Sequence, residues 1–81
     1  MLSSTEEDYL KTIYNLQQES QNVVSTNEIS NSLNIKASTV TDMLKRLSSK
    51  KLIKYKPYYG TSLTKKGNDL ALAFRNEDLF K

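Results

Sequence analysis

Residues 25–47 read STNEISNSLNIKASTVTDMLKRL, and the spacing of their apolar positions decides the fold. Ser25 stands three residues before Glu28, the spacing of a capping box, in which the hydroxyl accepts an orphan backbone N–H and the carboxylate reaches back. Ile29 and Leu33 follow, so a helix of roughly two turns should begin here and stop near Asn34. From about Ala37, the residues Val40, Met43, Leu44 and Leu47 fall at i, i+3, i+4 and i+7, one inward stripe of a second helix. Lys36, Ser38, Thr39, Thr41, Asp42, Lys45 and Arg46 are left on its other faces, and Lys36 is a weak cap for its start. Two short helices joined by a tight turn, the second with an exposed side rich in Ser, Thr and Lys, predict a helix-turn-helix.

Working outward, Ser4 and Glu7 show the same capping-box spacing and predict a preceding helix that carries Tyr9, Leu10, Ile13, Tyr14 and Leu16 to about Glu19. Its first turn holds Glu6, Glu7 and Asp8, where the helix dipole favours negative charge. Ser20-Gln21-Asn22 ends it, and Val23-Val24 can add a short extended piece. On the other side, Leu52-Ile53-Lys54-Tyr55 is β-prone, Pro57-Tyr58-Tyr59-Gly60 supplies turn residues, and Thr61-Ser62-Leu63-Thr64 can pair back. Thr64 then caps a last helix with Leu70, Ala71 and Phe74 inward. The expected architecture is mainly α with a small β-hairpin, a winged helix-turn-helix in the order α1-α2-α3-β-β-α4, as a single domain over residues 1–81.

Charge follows the same plan. Residues 36–66 hold nine Lys/Arg (Lys36, Lys45, Arg46, Lys50, Lys51, Lys54, Lys56, Lys65, Lys66) against Asp42 alone, while residues 1–35 hold one Lys and five acids. A concentrated positive face attracts phosphate far more than a net +3 spread evenly would. With no His or Cys, no glycine-rich phosphate loop and no paired carboxylates at a useful spacing, the chain offers no catalytic constellation, disulfide or thiolate metal site. The absence of a signal-like start and of any long apolar run leads to the expectation of a cytoplasmic protein with no membrane partner.

A groove-reading helix needs small or hydrogen-bonding side chains toward the bases and cations at its margins. Ser38, Thr39 and Asp42 fit the first role; Thr41, Lys45 and Arg46 fit the second. Asp42 has two readings: an acceptor for the amino group of cytosine, or an exposed ion-pair partner of Lys45 or Arg46. Lys56, Tyr58 and Tyr59 at the hairpin tip are expected at the DNA backbone, and Tyr55 in the core. Ser25 and Thr26 head a helix whose free N–H groups suit a phosphate, with plain capping as the companion reading. A protein-interaction module, or a truncated partner of a full-length regulator, is the alternative function that the fold permits.

The segments Glu7–Leu16, Val24–Ile29, Ala37–Leu47 and Tyr59–Gly67 together resemble the N-terminal domain of the DtxR/MntR metal-dependent repressors, over about residues 4 to 75. The resemblance implies a cytoplasmic repressor that dimerises and, with Mn²⁺ or Fe²⁺ bound, sits on palindromic operators. It implies that Lys36, Ser38, Thr39 and Asp42 approach bases, with Thr41, Arg46 and the start of the second helix near the backbone. Departures are equally specific. Asp8 falls where manganese-sensing members place a metal ligand, but Lys11 stands one turn on where they carry Glu, and their His ligands have no counterpart. The expectation is therefore no complete metal site, with Asp8 a lone candidate, and no cofactor unless further ligands are supplied. The family's dimerisation and metal-binding domain is expected to be absent from residues 1–81, and the expected partners are a palindromic DNA operator with a homodimer or partner regulator.

Overall fold

The computed structural model describes residues 3–19, 23–57 and 59–79. Its elements are α1 (Ser4–Glu19), α2 (Thr26–Leu33), α3 (Ala37–Ser49), β1 (Ile53–Lys56), β2 (Gly60–Leu63) and α4 (Lys65–Leu79), the expected winged helix-turn-helix. None of the described helices is long and apolar enough to cross a membrane.

The core takes one stripe from each helix: Tyr9, Leu10 and Ile13 from α1, Ile29 from α2, Val40, Leu44 and Leu47 from α3, and Ala71 from α4. Val24, Leu52 and Ile53 close it from the hairpin side. Burying each Leu or Ile contributes about 2 kcal/mol, so these residues are the main source of stability in so small a domain. Leu70 and Phe74 pack at its margin as the α4 spacing predicts, and Met43 and Tyr55 are half-buried beside them.

The turns are fixed by named hydrogen bonds. Ser25 Oγ accepts the Glu28 N–H at 3.1 Å, as the capping-box spacing predicts. At the other end of α2, Asn34 adopts the left-handed conformation (φ 57°, ψ 48°), which Asn tolerates better than most residues. The Ser30 carbonyl accepts the N–H of Ile35 at 3.0 Å, while the Ser30 hydroxyl donates to the Ile35 carbonyl. This double link closes the turn that sets α3 against α2. At the end of α3, Leu52 N–H reaches Leu47 O at 3.1 Å and Lys51 N–H reaches Ser48 O at 2.9 Å, a Schellman motif with Lys51 at φ 62°.

The first cap lies one residue earlier than the Ser4/Glu7 reading. Ser3 Oγ accepts the Glu6 N–H at 3.2 Å and Glu6 Oε1 accepts the Ser3 N–H at 3.1 Å. Both spacings satisfy the motif, and burial decides between them: Glu6 is 4 % exposed, held by Lys50 from the end of α3.

β1 and β2 pair antiparallel in the register Ile53↔Leu63, Lys54↔Ser62, Tyr55↔Thr61, Lys56↔Gly60, so both strands lie one residue from the sequence reading. The extended piece at Val24 pairs with Thr61 through two backbone bonds of 2.8 Å. Gly60 sits at φ 119°, and a Cβ there would lie 2.7 Å from Val23 Cγ1 and 2.9 Å from Val24 O. Thr64 joins the two ends of the hairpin: its hydroxyl donates toward Lys51 O (2.8 Å) and Leu52 O (3.0 Å) and accepts the Gly67 N–H (3.1 Å) as the α4 cap.

Candidate nucleic-acid interface

On α3 the residues opposite Val40, Leu44 and Leu47 are Ser38, Asp42, Lys45 and Ser49, spaced i, i+4, i+7 and i+11 along one outward stripe. All are exposed, as are Lys36 at the cap and Thr39 and Arg46 beside the stripe. Thr41 lies on the flank, half-buried, with its hydroxyl donating to Ala37 O at 3.0 Å. Among the described residues Asp42 forms no ion pair with Lys45 or Arg46, so its carboxylate stands clear in the middle of the stripe. Lys36 makes no side-chain capping bond, and the first-turn N–H groups of α3 lack that partner.

The second group of candidates lies around the start of α2 and the hairpin tip. Ser25 is exposed and Thr26 half-buried. Lys56 is exposed and Tyr59 is 80 % exposed, while Tyr58 lies outside the described residues. Ser25, Thr26, Tyr55, Lys56, Tyr59 and Gly60 share one recess of about 140 Å³, so the α2 start and the wing tip form one continuous surface. Tyr55 serves on both sides: it packs against the core and lines this recess.

Some side chains stand where the sequence reading did not place them. Lys50, counted in the basic stretch, is bound to Glu6 Oε2 at 2.5 Å, and its charge is thereby partly removed from the cationic surface. The Lys50 hydrogen bond and the Ser3 N–H hold the Glu6 carboxyl below its ordinary value, against the opposing effect of burial. The available signal was the second S-x-x-E spacing at Ser3. Lys54 and Ser62 also project from the outward side of the hairpin, paired across the strands. Strand alternation from the buried Ile53 would have found them.

Asp8 is exposed, with Oδ1 3.9 Å from Lys11 Nζ. No three His, Cys, Asp or Glu side chains converge among the described residues.

The comparisons with known proteins agree with this geometry. Residues 1–61 match the family described as "Iron dependent repressor, N-terminal DNA binding domain". An uncharacterised HTH-type transcriptional regulator of Methanocaldococcus jannaschii is 42% identical over 66 residues, covering 82% of this chain and 53% of that protein. The HTH-type transcriptional regulator MntR of Oceanobacillus iheyensis is 37% identical over 73 residues, covering 88% of this chain and 49% of its own. The chain thus spans about half the length of the curated relatives it matches. Among solved structures, Staphylococcus aureus MepR in complex with DNA superposes with a TM-score of 0.78 at 26% identity, covering 95% of this chain and 58% of that one. ScaR with bound Zn²⁺ gives 0.73 at 29% identity, covering 89% of this chain and 33% of that one. With both helices of the helix-turn-helix, β1 and the wing tip inside the matched residues, the chain belongs to the iron-dependent repressor family, through that family's N-terminal DNA-binding domain.

Proposed function

We propose that this chain binds double-stranded DNA as the reading domain of a cytoplasmic transcriptional repressor, with α3 in the major groove and the wing on the adjoining backbone. The single observation that carries this is the outward stripe of α3, exposed and free of carboxylates other than Asp42. Lys36, Ser38, Thr39 and Asp42 face the base edges. Ser25, Thr26, Thr41, Lys45, Arg46, Lys56, Tyr58 and Tyr59 meet phosphate or sugar, Thr41 by exchanging its bond to Ala37 O. Ser and Thr discriminate weakly between bases, so Asp42, accepting from the cytosine amino group and repelling nearby phosphate, carries most of the selectivity. One copy reads one half-site; two copies on a palindromic operator gain affinity by coupling.

Fluorescence anisotropy with a labelled operator duplex tests this. Arg46→Ala should weaken binding to every sequence and lower the salt slope by about 0.9. Asp42→Ala should change base preference at one position by about 1–3 kcal/mol. Equal effects of both variants on all sequences would reject the division of roles.

The family's name carries iron, and the described residues do not fit it. Asp8 is a single carboxylate already facing the Lys11 ammonium, whereas a hard divalent ion needs several oxygen ligands. DNA binding by this chain is therefore independent of Mn²⁺ and Fe²⁺ unless a further segment supplies ligands. Millimolar Mn²⁺ should leave the melting temperature unchanged; a rise of about 10–20 °C, the effect of a site filled at a hundred times its Kd, would show a surviving site.

A further inference from the structure

By sequence Lys50 belongs to the cationic stretch, yet its ammonium is committed inside the fold. It donates to Glu6 Oε2 at 2.5 Å, and Glu6 is 4 % exposed on α1. The other carboxylate oxygen, Oε1, accepts the Ser3 N–H at 3.1 Å. With both oxygens engaged and the side chain enclosed, Glu6 is a fixed anchor, and the charge-assisted hydrogen bond it receives is directional. Turning Lys50 toward a phosphate would strand a buried carboxylate, which costs more than one exposed cation–phosphate contact returns.

Lys50 is the C-cap of α3, and its own N–H bonds to Arg46 O at 3.2 Å. The carboxylate on α1 therefore grips the turn that carries Arg46. The start of α3 is held separately, by the left-handed Asn34 and the two Ser30–Ile35 bonds. Between these ends the helix is seated by Val40, Leu44 and Leu47. Apolar burial is non-directional, so it resists separation of the helix from the core far better than it resists rolling or tilting. At 13 residues α3 is about 20 Å long, and a tilt of about 5° about its start moves its last turn by about 1.7 Å. Hydrogen bonds weaken over a few tenths of an ångström, so a movement of that order takes the outward side chains out of register with base edges and phosphates.

Resting on the proposed DNA reading, we infer that Lys50 is a positioning residue and not a phosphate contact: through Glu6 it fixes the roll and tilt of α3, and the start of α1 thereby takes part in base discrimination without touching DNA. This separates Lys50 from Lys45 and Arg46, which meet the backbone directly in that reading.

The experiment uses a duplex that the wild-type chain selects from a random pool and a scrambled duplex of the same length. Affinities are measured by anisotropy between about 50 and 200 mM salt, at a temperature where melting curves show each variant folded. Lys50→Gln should reduce the ratio of selected to scrambled affinity about five-fold and keep the wild-type salt slope, whereas Arg46→Ala lowers the slope by about 0.9. Glu6→Gln should reproduce the loss of ratio, and it carries the same comparison if Lys50→Gln fails to fold. The double variant should lose no more than either single one, because the two side chains act as one link. Lys50→Arg, whose guanidinium can still bond the carboxylate, should restore most of the ratio. A lowered salt slope for Lys50→Gln would show a phosphate contact, and an equal loss of affinity for both duplexes would show a role in stability alone. Either result overturns the positioning role and leaves the DNA reading standing. Failure of the wild-type chain to select any duplex would overturn both.

Discussion

Replacing Gly67 with alanine should cost the domain about 3 kcal/mol and lower its melting temperature by about 10–25 °C. Ordinarily Gly to Ala inside a helix gains about 1 kcal/mol of helix propensity, so the sign here is set by space. A Cβ at Gly67 would stand 1.9 Å from the Leu52 carbonyl oxygen and 3.3 Å from Leu63 Cδ2. The oxygen belongs to the backbone and cannot rotate away. It also accepts the Thr64 N–H at 3.1 Å and the Thr64 hydroxyl at 3.0 Å, so moving it apart from α4 breaks the joint that seats the helix on the hairpin. Against a total stability on the order of 4–12 kcal/mol for a chain this size, the loss is large. Thermal and urea denaturation of the variant measure it. A Gly67→Ala protein as stable as wild type would mean that α4 can shift without cost.

The second large effect is expected at Glu6. Glu6→Gln keeps an acceptor for the Ser3 N–H but removes the charge that holds Lys50, and should cost about 1.5–3 kcal/mol near neutral pH. The cost stays below that of breaking a fully buried pair because the Lys50 side chain is 42% exposed and regains water. The same pair makes stability pH-dependent. The folded carboxyl is held below its ordinary value of 4.5, mainly by the Lys50 hydrogen bond and then by the Ser3 N–H. The unfolded chain thus binds the proton more readily, and stabilisation is complete above the ordinary value and drains away as pH falls through the lowered one. The difference between wild type and Glu6→Gln should therefore be full at about pH 7 and shrink steadily below about pH 4.5. A gap that stays constant into acid would assign the loss to packing instead of charge.

Both residues show where the sequence was legible and where it was not. Helices α1 to α4 and their inward stripes follow from apolar spacing, because periodicity reports which face of an element is buried, and the wing follows from β-prone runs on either side of turn residues. The Ser25 cap and the Thr64 cap are local motifs and lie where the residues predict. For Glu6 the sequence offers only a first-turn acid suited to the helix dipole, since its partner is 44 residues away and no local pattern encodes that distance. Gly67 looks from sequence like a mildly unfavourable helix residue; only the approach of Leu52 makes it obligatory. For the interface, the outward residues of α3 were fixed once the inward stripe was known. Asp42's freedom from Lys45 and Arg46 needed coordinates, because i,i+3 and i,i+4 spacings permit a pair without requiring one.

The two backbone bonds between Val24 and Thr61 anchor the hairpin to the segment that leads into α2. Wing and reading helix are in this way held as the jaws of a fixed caliper. A duplex whose grooves do not match the gap must bend or narrow to be gripped, so on the proposed target sequences that deform cheaply are favoured even at base pairs no side chain touches.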